Sequence, residues 1–175
     1  MPEESPQQTR LEAVVDVLQR HGVEFVVIGG QAQVLHGGLR PTVDVDVCYG
    51  RSRANLERLA SALREIAPTL RGAPPDLPVR LDARTLEMGL NFTLSTRIGD
   101  LDLLGEVEPI GAYEQVLASA ETYELPVGRV QAISLDDLIR VKEHIKRAKD
   151  AGSVEELRAL KSERERLRAS GGDAK

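Results

Sequence analysis

Two carboxylates separated by one residue, Asp44-Val45-Asp46, are the first feature of this chain that can do chemistry. The run from Thr42 to Cys48 alternates. Val43, Val45 and Val47 point one way and Thr42, Asp44, Asp46 and Cys48 the other, which is the period of a β-strand. Alternate residues on a strand share a face and lie roughly 6.6 Å apart. Two carboxylates so placed can hold one hard cation, or bridge two cations about 4 Å apart. The same pattern also fits an edge strand carrying two ordinary solvated acids, and an Asp-x-Asp alone does not separate the two readings.

Three other features bear on that choice. The apolar run Val23 to Ile28 stops at Gly29-Gly30 and feeds a helix from Gln31, and glycines ahead of a helix let backbone N–H groups approach a phosphate. A tight turn needing positive φ explains the glycines equally well. In Gly99-Asp100-Leu101-Asp102-Leu103-Leu104, Asp100 and Asp102 share one strand face with Ile98 and Leu104. The flanking leucines predict a buried strand, where an unpaired acid is costly. Both acids have the phase of a third site carboxylate. Finally, the stripe Leu135, Leu138, Lys142, Ile145, Lys149 puts two lysines among core-facing positions. Either their stems cover apolar surface, or Lys142 reaches a phosphate in a cleft.

The elements that must position these residues follow from periodicity. Leu11, Val14, Val15 and Leu18 form one helical stripe that Gly22 terminates. Gln31 to His36 reads as a short helix. Ser52 caps a helix with Leu56, Leu59, Leu63 and Ile66 on its apolar face. Pro68 to Pro78 is a Pro/Gly-rich loop, Val79 to Asp82 a short strand, and Leu90 to Leu94 and Ile98 to Leu104 firmer strands. Tyr113 to Ala120 is a short helix, and Glu121–Leu125 with Arg129–Ile133 a hairpin around Val127-Gly128. Ser134 and Asp137 open a helix that runs to about Lys149, and a last helix spans Val154 to Leu167, fraying beyond Leu160. This order predicts an α+β fold (an α/β sandwich), not a bundle, in one domain over residues 1–160. Residues 1–22 supply its N-terminal helix, 134–168 its C-terminal helices, and 169–175 a tail.

Composition excludes several classes. With 175 residues, 41% hydrophobic, 29% charged and 3% aromatic, the chain reads as globular with an aliphatic core. Its net charge of −5 argues against coating nucleic acid through bulk electrostatics. Residues 129–168 nevertheless carry eleven Lys/Arg against eight Asp/Glu. The single Cys48 rules out a disulfide within the chain and a cysteine zinc site, and it is assigned no chemistry. His36 has no suitably spaced partner for a metal site and reads as packed or solvated. No Gly-x4-Gly-Lys-Ser/Thr loop is present. No apolar run approaches the roughly 20 residues of a membrane span, and Met1 to Thr9 lacks a signal-peptide pattern, so a cytoplasmic location is expected.

Taken together, Gly29-Gly30-x-Ala32…His36-Gly37…Arg40-x-Thr42-x-Asp44-x-Asp46 resembles the nucleotidyltransferase superfamily related to DNA polymerase β, and within it the small bacterial group containing AbiEii/AbiGii-type toxins. Asn91 to Thr96 with Gly99-x-Leu101-Asp102-Leu103-Leu104, then Ser134-Leu135-x-Asp137-Leu138-Ile139-x-x-Lys142, then Lys146-Arg147-x-Lys149-Asp150, extend the resemblance from Val23 to about Leu160. It implies a mixed sheet backed by helices, with the active site on one sheet edge, and transfer of a nucleoside monophosphate from an NTP to an acceptor hydroxyl, with release of pyrophosphate. It implies two Mg²⁺ ions, with Mn²⁺ as an alternative, held by Asp44 and Asp46, with Asp102 completing the site and helping to deprotonate the acceptor. Asp102 is preferred over Asp100 for its apolar neighbours on both sides. Gly29, Gly30, Gln31, Arg40, Thr42 and Lys142 fall at nucleotide- and phosphate-binding positions, Gln31 standing where many members have Ser. The acceptor classes are tRNA, protein or small molecule, and an antitoxin protein is the partner a toxin would have. A competing expectation is a nucleotide- or partner-binding module of the same fold without turnover. A weaker one is a nuclease or phosphodiesterase using the same carboxylates.

Overall fold

The longest apolar segments pair into one seven-stranded mixed sheet backed by helices. The structure is a computed structural model that describes residues 6–74, 76–145 and 151–172. In chain order its elements are α1 (Pro6–Arg20), β1 (Phe25–Ile28), α2 (Gly29–Leu35), β2 (Val45–Tyr49), α3 (Arg53–Glu65), β3 (Thr69–Leu70), α4 (Ala83–Met88), β4 (Asn91–Thr96), β5 (Gly99–Leu104), β6 (Glu106–Val107), β7 (Gly111–Ala112), α5 (Tyr113–Ala118), β8 (Glu121–Leu125), β9 (Gly128–Ala132), α6 (Leu135–Ile145) and α7 (Ala151–Gly172). The sheet order is β3-β4-β5-β2-β1-β9-β8, and β6 and β7 form a separate two-stranded ribbon. The pairs β2/β5 and β1/β9 are parallel and the others antiparallel. Among the described residues, no helix is long and apolar enough to cross a membrane.

The helical stripe of α1 buries Leu11, Val14, Val15 and Leu18, each contributing about 1.5–3 kcal/mol on leaving water. The helix ends where Gly22 turns to φ +70°. There the Val23 N–H donates to the Leu18 carbonyl and the Gly22 N–H to the Gln19 carbonyl, which satisfies two orphan acceptors of the last turn. β1 is buried along its whole length, as a continuous apolar run at a sheet centre should be. Ser52 caps α3 by accepting from the Asn55 N–H. Asn55 itself is buried and fully paired. Its amide donates to the carbonyls of Gly50 and Glu24 and accepts from the Glu24 N–H, tying α3 to the chain ahead of β1 and behind β2.

Several expectations need correction. β2 begins at Val45, so Asp44 lies one residue before the strand and Val43 is 56% exposed instead of buried. Residues 79–82 form no strand; they lead to Asp82, whose carboxylate accepts from the Thr85 N–H and caps the unforeseen α4. The Pro/Gly loop contains the short edge strand β3. α2 begins at Gly29, two residues earlier than the glycines suggest. Ser134 does cap α6 by accepting from the Asp137 N–H, but the Asp137 carboxylate takes the Ser119 hydroxyl in place of closing the box. α6 is described to Ile145, and the continuation to Lys149, with the basic run Lys146, Arg147, Lys149 and Asp150, lies outside the described residues. α7 continues through Gly172, past the expected fraying point and into the expected tail.

Candidate active site

The parallel pairing of β2 with β5 sets Asp46 directly beside Asp102, and on its other flank β1 sets Ile28 beside Asp46. Two carboxylates therefore stand side by side on the central strands of the sheet and not on an edge strand as expected, with Asp44 one residue ahead of β2. Asp46 is held up at about pH 7 for proton loss. Burial is the main cause, followed by the charge of Asp102, a hydrogen bond shared with it, and the charge of Asp44, with Lys142 opposing. Its Oδ1 is buried and has no hydrogen-bond partner. A buried acceptor with nothing to accept costs free energy.

The glycine pair has a steric reason to be there. Gly29 adopts φ +64°, and a Cβ on it would lie 2.2 Å from Asp46 Oδ2. A Cβ on Gly30 would lie 2.6 Å from Thr42 Oγ1. The missing side chains are what let the chain ahead of β2 close against the β1–α2 turn.

Two depressions open at this point. One, of about 420 Å³, has Asp44, Asp46, Asp102 and Gly29 on one side and an aliphatic wall from Leu104, Val107, Ile133, Leu138, Val141 and Ile145 on the other. The second, of about 370 Å³, is polar, lined by Gly30, Gln33, Arg40, Thr42 and Ser153. Lys142 lines both, so the lysine in the α6 stripe sits on the cleft and is not solely a cover for apolar surface.

The expected residues divide accordingly. Asp44, Asp46, Asp102, Gly29 and Lys142 come together in the first depression, and Gly30, Arg40, Thr42 and Lys142 in the second. Asp100 does not line the cleft; its side chain is 39% exposed and pairs with Arg71 at 3.4 Å. Gln31 lines neither depression. It is 1% exposed, because the earlier start of α2 turns it into the core beside Ala32, and its Nε2 has no hydrogen-bond partner. Arg40 pairs with Glu156 at 3.3 Å, and the same carboxylate accepts from the Leu39 N–H and Gln33 Nε2, fastening the segment ahead of β2 to α7.

Cys48 and His36 are buried and line neither depression. Cys48 is buried and its thiol is pushed up to about 12, mainly by burial. His36 is buried and its proton affinity is lowered by burial. Its Nε2 donates to the Ile133 carbonyl, which leaves Nδ1 as an acceptor for Tyr123 Oη and Arg164. It is a packing residue that links α2, β8 and α7. Sequence reasoning missed Arg71, in a segment without periodic signal, Glu156, on the last helix but with no signal of its partners, and Val107 in the β6–β7 ribbon.

A hard divalent cation fits the donor set, which is all carboxylate oxygen with one orphaned buried acceptor. Among the described residues no three His, Cys, Asp or Glu side chains are already gathered around one ion position. Asp102 explains part of this, since its Oδ1 accepts from Arg71 at 2.9 Å.

No family model and no curated protein matches the chain. Among solved structures it is similar to the lincosamide antibiotic adenylyltransferase LnuA bound to lincomycin, with a TM-score of 0.58, 13% identity, and coverage of 87% of this chain and 96% of that one. It is also similar to a proposed nucleotidyltransferase of Thermotoga maritima, with a TM-score of 0.55, 14% identity, and coverage of 86% and 92%. At these identities the likeness is one of fold: the chain has the nucleotidyltransferase fold.

Proposed function

We propose that this chain is a metal-dependent nucleotidyltransferase that moves a nucleoside monophosphate from an NTP to an acceptor hydroxyl. The observation that carries the reading is the registered Asp46–Asp102 pair with its orphaned Oδ1, set against the glycine turn and Lys142. Asp44 and Asp46 would hold Mg²⁺ ions, with Asp102 completing the set; Mn²⁺ suits the same donors. Bound there, such ions supply charge neutralisation at the α-phosphate and lower the proton affinity of the acceptor oxygen. Lys142, which lines both depressions, neutralises phosphate oxygens. Arg40, Thr42 and the Gly30 backbone border the polar depression and suit the β- and γ-phosphates. Asp102 receives the acceptor hydroxyl's proton. The acceptor oxygen forms its bond to the α-phosphorus, the bond to the bridging oxygen breaks, and pyrophosphate leaves with that electron pair.

The aliphatic wall, with Lys142 as the one Lys or Arg among the described residues lining that depression, favours a small acceptor with an apolar body over tRNA. The resemblance to AbiEii/AbiGii toxins supports a role as the toxin of a toxin–antitoxin or phage-defence pair. Its protein acceptor and antitoxin rest on that resemblance alone.

The test is incubation with each α-labelled NTP, Mg²⁺ and a whole-cell extract, beside Asp44→Asn/Asp46→Asn. A labelled small molecule, RNA or protein that disappears with the double variant supports the reading and names the acceptor class. A second reading is favoured by buried Gln31 in place of the more usual Ser: a nucleotide-binding module without turnover. NTP binding with no label transferred and no pyrophosphate released would select it.

A further inference from the structure

Arg71 is the one cation, beside Lys142, that the described structure brings to the carboxylates, and it arrives from the sheet edge, where β3 ends. Its backbone N–H donates to the Thr93 carbonyl, and its guanidinium reaches across β4. Nη2 donates to the Leu94 carbonyl at 2.7 Å and to Asp102 Oδ1 at 2.9 Å. Nε lies 3.4 Å from Asp100 Oδ2. One guanidinium thus spans two carboxylates on the same strand face. Its hold is incomplete: Nε is buried and makes no hydrogen bond, so the Asp100 contact is an ion pair without one.

We propose that Arg71 stands in for a cation at the third carboxylate and so limits how many divalent ions the site takes up. Asp44 and Asp46 can hold one ion with Arg71 in place, while Asp102 Oδ1 is released only when Arg71 swings off. The inference rests on the reading of Asp44, Asp46 and Asp102 as metal-holding residues. Four observations carry it. Asp102 is registered with Asp46, so its charge needs compensation. The compensation comes from a side chain, not from backbone donors. That side chain is anchored two strands away, past the last residue of a two-residue edge strand. No three acidic or other ligating side chains are gathered around one position among the described residues while Arg71 is in place. An edge position lets the guanidinium leave without disturbing the core, and a nucleotide's own phosphates give it somewhere to go.

The experiment is Mn²⁺ binding in the absence of nucleotide, by calorimetry and by loss of the free-ion EPR signal. It compares the natural chain with Arg71→Met and Arg71→Lys. Arg71→Met removes the charge and keeps an apolar stem. Arg71→Lys keeps a charge that cannot bridge both acids. Taking the positive charge away from beside Asp102 should tighten Mn²⁺ binding about tenfold, or admit one more ion, with Arg71→Lys in between. Equal affinity and stoichiometry in all three, or weaker binding in a folded Arg71→Met, overturns the inference. If Arg71→Met does not fold, Arg71→Lys decides: tighter binding than the natural chain supports it, equal binding overturns it. If none of the three binds Mn²⁺, both the inference and the metal reading fall. Mn²⁺ binding that does not change with Arg71, alongside intact label transfer, overturns the inference and leaves the transferase. Tightening with no label transfer to any acceptor does the reverse.

Discussion

Replacing Gly29 with Ala should separate what the glycine does for folding from what it does for the site. At φ +64° an L side chain occupies the left-handed region, which costs roughly 1–2 kcal/mol. The new Cβ would also lie 2.2 Å from Asp46 Oδ2, against 3.4 Å for ordinary contact, so the carboxylate must retreat by about 1.2 Å. It cannot retreat freely toward β5, because Asp102 stands there with its own charge. The stability loss should therefore be about 1–3 kcal/mol, or roughly 3–10 °C in melting temperature for a chain of this size. A displacement of about 1 Å at a group that positions reactants costs about a hundredfold in rate, so label transfer should fall by that order. Gly22→Ala is the control: φ is +70° there, but a Cβ would meet its nearest neighbour at 3.6 Å, far from the carboxylates. It should lose about 1–2 kcal/mol of stability by urea unfolding and keep full transfer. Full transfer in Gly29→Ala, or an equal transfer loss in Gly22→Ala, would refute the steric argument.

Other perturbations follow from the same geometry. Asp46 is held near 7 against an ordinary 3.8, so the folded chain binds an extra proton between those values, and stability falls as pH rises through that window. In EDTA, Asp46→Asn should match the natural chain near pH 4 and exceed it at pH 8 by about 2–4 kcal/mol in urea unfolding; a pH-independent difference would contradict this. Added Mg²⁺ should raise the melting temperature of the natural chain and leave Asp46→Asn unmoved. Asn55→Ala strips three hydrogen bonds from a buried position and should cost about 2–4 kcal/mol, seen as a lower urea midpoint with an unchanged slope. Glu156→Ala releases the Leu39 N–H, Gln33 and Arg40 together, and hydrogen exchange over residues 37–44 should quicken; unchanged exchange would mean that α7 does not hold this segment.

What the sequence could show and what it could not divide along a physical line. Side-chain parity within a strand is local, so the shared face of Asp100 and Asp102 was legible from alternation alone, whereas Asp44 precedes β2 and reaches the same depression as Asp46 from the loop. Which carboxylate meets which is not local. Asp46 and Asp102 become neighbours only because β2 pairs in parallel with β5 across α3, β3, α4 and β4. The choice of Asp102 over Asp100, first made from its apolar neighbours, gains a geometric reason in that register. Val43 failed because alternation continued past the point where hydrogen bonding stops, leaving an exposed valine beside a site loop. Gln31 is in the core because α2 starts at Gly29, which makes it the third helical residue and buries it beside Ala32. Arg71 had no signal at all, since a two-residue edge strand inside a Pro/Gly-rich loop has no period to read. The core was legible because burial repeats. The site was legible only where it borrows the period of the core, and the cations that make its crowded carboxylates tolerable come from α6 and from the sheet edge. A chain optimised for stability alone would not set Asp46 beside Asp102 with an oxygen left unpaired. That local conflict, where the glycine turn, the acids and a lysine meet, is what the proposed metal-binding role rests on.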